Sequence, residues 1–220
     1  MNITNSEFRA RARAALGGQI FARNWLMAVV VVLIISAITG IASSIPVASL
    51  ILTGPLAVGS ALVFLKLMRT GEEIKIEDAF AGFKDFAGTL LLGLMYTIFV
   101  FLWKLLLIVP GIVKSYSYAM CFYIKNDHPE YDWKQCITES RKMMDGYKWK
   151  LFCLDFSFIG WMIVGVLCFG VGILWVSAYM ESARAAFYNE LKGEEPVAEE
   201  SAAEEPTADP EETASTEVIE

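Results

Sequence analysis

Apolar residues fall into three long blocks, at 25–65, 86–124 and 151–180. A helix needs ~20 residues to cross ~30 Å of hydrocarbon, so each of the first two blocks is long enough for two antiparallel helices. Each block also contains helix-breaking residues near its centre, at 43–46, 110–111 and 170–172. The pattern predicts an all-α polytopic membrane protein with about six transmembrane helices in three hairpins. The predicted spans are 25–44, 47–66, 87–108, 111–125, 151–169 and 171–190.

The third block is the shortest of the three, and its second arm has to include Glu181 and Arg184 in order to reach the far side. The segment 151–191 therefore crosses the membrane either once or twice. Two crossings place Glu181 about 15 Å deep, because it lies ten residues into the last span. One crossing leaves both charged residues outside the hydrocarbon.

Glycine and proline positions indicate where the spans turn or bend. Glycine lacks a Cβ atom and proline lacks a backbone N–H, so both interrupt a membrane helix. We predict a kink at Gly54-Pro55 within the second span. The full set of predicted turn or kink residues is Pro46, Gly54, Pro55, Pro110, Gly111, Gly170 and Gly172.

The distribution of lysine and arginine predicts the orientation of the chain. Cations near the ends of spans stay on the cytoplasmic side, and sixteen of the eighteen lie before, between or after the three blocks. The short segments inside the blocks then form external turns, and both termini lie in the cytoplasm. The two exceptions are Lys104 and Lys114, which flank Pro110-Gly111.

Two polar segments outside the blocks have the pattern of amphipathic helices. Residues 1–24 contain the capping sequence Thr4-Asn5-Ser6-Glu7, and residues 132–146 begin with Asp132 and have Gln135 at the matching position. Apolar residues recur in both at helical spacing. We predict two cytoplasmic helices that lie in the membrane interface with their apolar faces toward the lipid.

Composition agrees with a membrane domain that carries a separate tail. The chain is 55% hydrophobic with a mean hydropathy of +0.48. Eleven of its 25 acidic residues lie in 194–220, which has no lysine or arginine, so the tail makes the net charge −7. Residues 193–220 have too little apolar surface to fold, and we predict a disordered acidic cytoplasmic tail.

Five charged residues in or near the spans are the candidate site residues. Lys104 and Lys114 either extend toward water at the external turn or hold an anion or a lipid headgroup. Asp155 either pairs with Lys148 or Lys150 near the cytoplasmic interface or faces the bundle interior. Glu181 and Arg184 are three residues apart, so they share a helix face and can form an intramembrane pair.

Motifs of enzymes, metal sites and cofactor sites are missing from the sequence. It has no phosphate-binding glycine loop, no H-E-x-x-H and no G-x-S-x-G. Four isolated cysteines and one histidine predict neither a zinc site nor a redox pair, and Asp127-His128 is interpreted as part of a surface loop. We expect no catalytic residue, no metal and no cofactor.

Several short motifs together resemble a family of bacterial integral membrane proteins, domain-of-unknown-function family 975. They are the N-terminal arginine helix with Trp25, Gly54-Pro55, EDAF at 77–80 with Gly82-Phe83, LWKLLLIVPGIVKSYSYAM at 102–120, the helix at 140–146, SFIGW at 157–161 and AFY at 186–188. The resemblance covers about residues 5–192 and implies a multi-pass protein of the bacterial plasma membrane. It implies no catalytic residue.

The leading functional hypothesis is a non-enzymatic scaffold, regulatory or assembly protein of the cytoplasmic membrane. Its partners are the lipid bilayer and a protein bound through the acidic tail or the interfacial helices, with no nucleic acid; the oligomeric state is unknown. The alternative is a small-solute or lipid transporter, or a channel subunit, that uses Lys104, Lys114, Asp155, Glu181 and Arg184.

Overall fold

The computed structural model describes residues 4–17, 22–167 and 171–193. Within these ranges the chain forms eleven α-helices, one 3₁₀ turn at Ala81–Phe83 and no strand, which confirms the predicted all-α class. The helices are α1 (Asn5–Ala15), α2 (Arg23–Ala42), α3 (Pro46–Thr70), α4 (Ile76–Ala79), α5 (Phe86–Leu106), α6 (Ile108–Ser117), α7 (Cys121–Asp127), α8 (Trp133–Met143), α9 (Lys148–Phe156), α10 (Ile159–Leu167) and α11 (Val171–Lys192). Gly170 and the tail beyond Gly193 lie outside the described residues.

Four helical segments are long and apolar enough to cross a membrane. They are Arg23–Ala42, Val47–Thr70, Phe86–Leu106 and Lys148–Leu167, the last formed by α9 and α10 together. α11 has a sufficient length of 22 residues but is not among the four, because Glu181, Arg184 and its other polar residues lower its hydropathy. The described chain thus has several helices suited to a bilayer.

The predicted span at 111–125 is not one helix. The chain breaks between α6 and α7, at residues 118–120. The Ser140 hydroxyl of α8 covers this break, since it donates to the Ser117 carbonyl at 2.9 Å and accepts from the Met120 N–H at 3.2 Å. A contact from a distant helix therefore satisfies backbone groups that the interrupted helix leaves free.

The predicted turn at Pro110-Gly111 is also displaced. The chain reverses at Leu107, which has an extended backbone, and Pro110 lies in the first turn of α6. Proline is tolerated there because the first backbone N–H groups of a helix have no intrahelical partner. Gly111 lies in α6 with its Cα hydrogen facing Lys104, where a Cβ atom would come within 2.7 Å of the Lys104 Cα. Gly111 therefore allows α5 and α6 to pack closely.

Two other predicted turn or kink residues, Pro46 and Gly172, lie in different settings: one follows a turn, and the other lies where two helices touch. Pro46 is the first residue of α3, directly after the turn that follows α2. Gly172, a predicted turn or kink residue, is the second residue of α11, where a Cβ atom would come within 2.7 Å of the Gly165 Cα in α10. These two glycines allow the backbones of α10 and α11 to touch.

Gly54-Pro55 lies inside α3, which continues as one helix from Pro46 to Thr70. A Cβ atom on Gly54 would lie 2.0 Å from the Thr89 carbonyl oxygen, and one on Gly93 would lie 2.4 Å from the Gly54 Cα. Gly54 and Gly93 therefore form the crossing point of α3 and α5. Small residues at helix crossings are typical of membrane proteins.

The apolar faces of both amphipathic helices pack against other helices, which corrects the prediction that they face the lipid. In α1, Phe8, Ala12 and Leu16 at its end are fully buried, and the Phe8 ring lies 5.2 Å from that of Phe187 in α11. In α8, Cys136 and Ser140 are fully buried against neighbouring helices. Burial in this apolar setting raises the pKa of the Cys136 thiol to about 11. Both helices are thus integral parts of the bundle.

Large apolar side chains remain exposed along several helices. Strongly exposed examples at the end of α5, the start of α6 and along α10 are Phe101, Leu105, Leu106, Val109, Ile163 and Leu167. The fully buried core lies instead around the second halves of α3 and α11. An apolar surface of this extent suits contact with lipid chains.

Candidate functional site

Arg184 of α11 is the centre of a polar cluster within the apolar bundle. Its Nε and Nη2 atoms donate to the Asp155 carboxylate at 3.1 and 2.8 Å, which gives a two-point interaction between α11 and α9. Its Nη1 atom donates to the Glu181 carboxylate at 3.2 Å, the pair favoured by their spacing. A planar guanidinium suits this role because it presents several N–H donors in a fixed arrangement.

Two tyrosines donate to the same carboxylates. The Tyr116 hydroxyl of α6 lies 3.2 Å from Asp155, and the Tyr123 hydroxyl of α7 lies 3.5 Å from Glu181. The cluster therefore joins α6, α7, α9 and α11. It carries two negative charges and one positive charge when all three groups are ionised.

Asp155 does not pair with the lysines proposed from the sequence. Lys148 lies 3.4 Å from Asp145, and the Lys150 ammonium lies over the Phe8 ring at 5.6 Å. Asp155 lies in the last turn of α9 and contacts Arg184, 29 residues further along the chain. The pairing depends on how α9 packs against α11, which spacing within one helix does not indicate.

The cluster borders a cavity of about 420 Å³. The Arg184 and Glu181 side chains are 32% and 30% exposed, so the charges are only partly enclosed by protein. The polar lining of the cavity consists of Ser60, Tyr96, Lys104, Ser115, Tyr116, Tyr123, Asp155, Glu181 and Arg184. Four of the five charged residues singled out in the sequence thus meet around one space.

Lys104 is contributed by α5, three residues before the reversal at Leu107. It lines the central cavity and also a smaller apolar depression beside Leu105 and Pro110. No acidic partner of Lys104 lies within salt-bridge distance among the residues that the structure describes. It therefore supplies a positive group that the carboxylates of the cluster do not neutralise by direct contact.

Lys114 does not share a cavity with Lys104. Its ammonium group lies 4.8 Å from the centroid of the Trp103 ring. It lines a separate cavity together with Arg141, Lys142 and Lys148, which belong to the predicted cytoplasmic segment between the second and third blocks. The structure thus places the two lysines at different cavities.

The candidate site residues taken from the sequence do not include Tyr96, Tyr116 or Tyr123. Their sequence signal is a phenol within an apolar run, which is equally typical of membrane interfaces. They come from α5, α6 and α7, so their convergence on one cavity depends on how these helices pack together. The serine hydroxyls of Ser60 and Ser115 were missed for the same reason.

Asp127 forms a second polar cluster at the end of α7, away from the central cavity. Its side chain is 9% exposed and binds Arg69 at 2.7 Å, Lys192 at 2.7 Å and Tyr188 at 2.7 Å. Burial favours the neutral acid, but hydrogen bonds from Arg69, Lys192 and Tyr188 outweigh that effect and hold the pKa of Asp127 well below its usual range. Asp127 therefore links α3, α7 and α11 rather than forming an exposed loop.

Metal-ligating side chains do not gather anywhere in the described ranges: no group of three histidine, cysteine or carboxylate residues could hold an ion there. Cys121, Cys136 and Cys153 are free.

Comparison with known families gives one match. The model of the family described as "Protein of unknown function (DUF975)" matches residues 1–117 and 105–195. No curated protein and no solved structure was found to match the chain. Because the family match extends over both halves of the helical bundle, the chain belongs to domain-of-unknown-function family 975.

Proposed function

We propose that this chain is a non-enzymatic integral membrane protein that binds a small polar solute or a lipid in the central cavity and moves it, as a transporter or channel subunit. One observation carries the proposal. Lys104, Asp155, Glu181 and Arg184 come from three helices and line the same cavity. The residues are separated along the chain, so their convergence is a property of the fold.

The cost of charge in a membrane favours a ligand site over a purely structural one. Placing an ionised group at the centre of a bilayer costs at least ~2.5–3.5 kcal/mol, so charged residues are rare in membrane spans. Where they occur, they commonly line the path of a solute or an ion. A pair that served packing alone would be closed by its neighbours, whereas Glu181 and Arg184 are each about a third exposed. The volume of about 420 Å³ also falls within the roughly 300–1,000 Å³ range of small-molecule sites.

The cavity can interact with groups of either charge. The Asp155–Arg184–Glu181 cluster has a net charge of minus one, and Lys104 supplies a positive group elsewhere on the wall. Tyrosine and serine hydroxyls add neutral donors and acceptors. This lining suits a polar solute or headgroup that carries charge, and the apolar surfaces beside Lys104 suit an attached chain.

The membrane topology is part of this proposal. We propose six crossings in three hairpins in the bacterial plasma membrane, with both termini in the cytoplasm. α6 and α7 together form the fourth crossing, and α11 forms the sixth. Support comes from the contacts of α5 with α6 and of α10 with α11, and from the cation distribution.

The scaffold hypothesis is the second candidate. Its proposed binding surfaces were the interfacial helices and the acidic tail. The apolar faces of α1 and α8 are covered by other helices of the same chain, so they are less suited to a partner. The acidic tail lies outside the described residues, and deleting 194–220 tests that part of the hypothesis by loss of copurifying proteins.

Water access to the cavity is the first test. In a cysteine-free background, Ser60→Cys places a thiol on the cavity wall, and Leu102→Cys places one on the exposed apolar surface of α5. A small impermeant thiol reagent should modify residue 60 in proteoliposomes and leave residue 102 unmodified. No modification at residue 60 from either side would exclude an aqueous cavity.

Flux measurements test transport directly. Purified protein in proteoliposomes is assayed with proton, cation, anion, zwitterionic-solute and fluorescent-lipid probes. Glu181→Gln or Lys104→Gln should reduce the observed flux at least tenfold, while Lys75→Gln, which makes the same change of charge as Lys104→Gln on an exposed loop, should not. The thermal midpoint of each variant separates a loss of function from a loss of folding. If none of the probes moves, the transport proposal is rejected in favour of the scaffold hypothesis.

A further inference from the structure

A basic cavity lies apart from the central one. It has a volume of about 350 Å³, and its polar lining consists of Lys114, Ser117, Thr138, Arg141, Lys142, Asp145 and Lys148. These residues come from α6, α8, the following loop and α9. None of them lines the central cavity.

The charge of this cavity is strongly positive. It contains four cations and one carboxylate. Lys142 is paired with Glu139 at 2.7 Å, and Lys148 lies 3.4 Å from Asp145. Lys114 and Arg141 have no acidic partner within salt-bridge distance in the described part of the chain, so two positive groups remain available to an anion.

An apolar aromatic surface lies next to the basic cavity. Trp149 directly follows Lys148 and is 73% exposed, and its ring stacks on Phe152 at 5.1 Å. Phe152 continues the row to Phe156, which is 62% exposed, and contacts Tyr116 of α6 edge-on at 5.8 Å. The row follows α9 away from the basic residues, so a molecule with a charged end and an apolar chain fits both surfaces at once.

We propose that this site binds one anionic phospholipid. The headgroup phosphate contacts Lys114, Arg141 and Lys148, and an acyl chain lies along Trp149, Phe152 and Phe156. Basic cavities between membrane helices bind the headgroups of anionic lipids by this combination of charge and hydrogen bonding. The adjacent apolar row favours a lipid over a free phosphate ion, because an inorganic ion would make no contact with it. The site is independent of the proposed transport function.

The test uses the full-length protein in neutral detergent. Native mass spectrometry measures retention of phosphatidylglycerol, of phosphatidylcholine and of inorganic phosphate. The charge-neutral variant combines Lys114→Gln, Arg141→Gln and Lys148→Gln. The matched control combines Lys75→Gln, Lys84→Gln and Lys134→Gln, which removes the same charge from exposed positions outside this cavity.

We expect wild type and control to retain one phosphatidylglycerol at least tenfold more tightly than the charge-neutral variant, and to bind phosphatidylcholine weakly. Equal losses in both triple variants would mean nonspecific attraction and would overturn the proposal. Retention of phosphate alone as tight as that of the lipid would overturn the lipid assignment. If the charge-neutral variant fails to fold, the single variants replace it. Lys114→Gln should then weaken the retention of phosphatidylglycerol and Lys114→Arg should keep it, whereas equal retention by both would also overturn the site.

Discussion

Arg184 and Asp155 are joined by two nearly parallel hydrogen bonds across 29 residues of sequence, at 3.1 and 2.8 Å. Each residue depends on the other, because removing one partner leaves an uncompensated charge in an apolar setting. The pair ties the last turn of α9 to the middle of α11. It thereby positions Glu181, which Arg184 also binds, on the wall of the central cavity.

The dependence predicts strong coupling between the two residues. Arg184→Gln and Asp155→Asn should each destabilise the protein, and the double variant should be less destabilised than the sum of the two by about 1–3 kcal/mol. The free energy of unfolding is measured in detergent micelles. The exposed Lys142–Glu139 pair is the control, and its coupling should stay below about 1 kcal/mol. Additive effects at Arg184 and Asp155 would contradict a stabilising pair.

A second prediction concerns acid stability. The pKa of Asp127 is held below its usual range, so the unfolded chain binds a proton there at a higher pH than the folded chain does. The stabilisation from ionised Asp127 is therefore complete above the ordinary value of about 4 and is lost as the pH falls below it. Asp127→Asn should lower stability at neutral pH by on the order of 3 kcal/mol, because Arg69 and Lys192 lose their shared carboxylate.

The difference in thermal midpoint between wild type and Asp127→Asn should accordingly begin to shrink as the pH falls below about 4. The two midpoints should converge only as the pH falls through the lowered pKa of Asp127 in the folded protein. Asp145→Asn is a suitable control, since the Asp145 side chain is 84% exposed and its neighbour Lys148 is 3.4 Å away. The free energy of unfolding of Asp145→Asn should differ from that of wild type by less than about 0.5 kcal/mol at every pH. A difference in thermal midpoint between wild type and Asp127→Asn that is as large at pH 3 as at pH 7 would exclude the proposed link between stability and the ionisation of Asp127.

The crossing of α3 and α5 gives a third prediction. Gly54→Ala should destabilise the protein by about 3 kcal/mol or more, because the new methyl group meets the Thr89 carbonyl, which is backbone and cannot rotate away. Gly40→Ala is the matched control on an exposed face of α2, where a Cβ atom meets nothing within 4 Å. It should be neutral or slightly stabilising because alanine favours helices. Equal effects of the two substitutions would show that α3 and α5 do not touch at Gly54.

Local spacing predicted much of the fold because many helix signals extend over a few residues. The bounds of α2 and α5 follow from the lengths of their apolar runs, and the pairing of Glu181 with Arg184 follows from the geometry of one helix turn. The same reasoning misplaced the turn at Pro110, since proline at the start of a helix and proline in a turn have the same sequence signal.

Contacts between distant segments limited the prediction of the site. The span at 111–125 is mostly apolar and gives no local signal of a break, and the Ser140 hydroxyl that bonds to the backbone at the break comes from α8. Lys104 and Lys114 both flank Pro110-Gly111 in the sequence, yet they lie on different helices and line different cavities. Asp155 had two nearer lysines, yet its partner is Arg184. Each of these outcomes depends on the packing of elements that lie far apart along the chain.

The side of the acidic tail is the last prediction, and it tests the topology on which the depth of Glu181 depends. A single cysteine at Ser215→Cys, in a background without the four native cysteines, should resist an impermeant thiol reagent on intact cells and react after lysis. Protection means an even number of crossings, with α11 as a span and Glu181 ten residues inside it. The positive-inside rule favours this outcome, because Lys192 follows α11 and the cations of α1 precede the first span. A second cysteine at Ser44→Cys, in the turn between α2 and α3, serves as the control and should react on intact cells. Labelling of residue 215 without lysis would require an odd number of crossings, which would place Glu181, Arg184 and the tail outside and exclude a charge pair at the middle of the membrane.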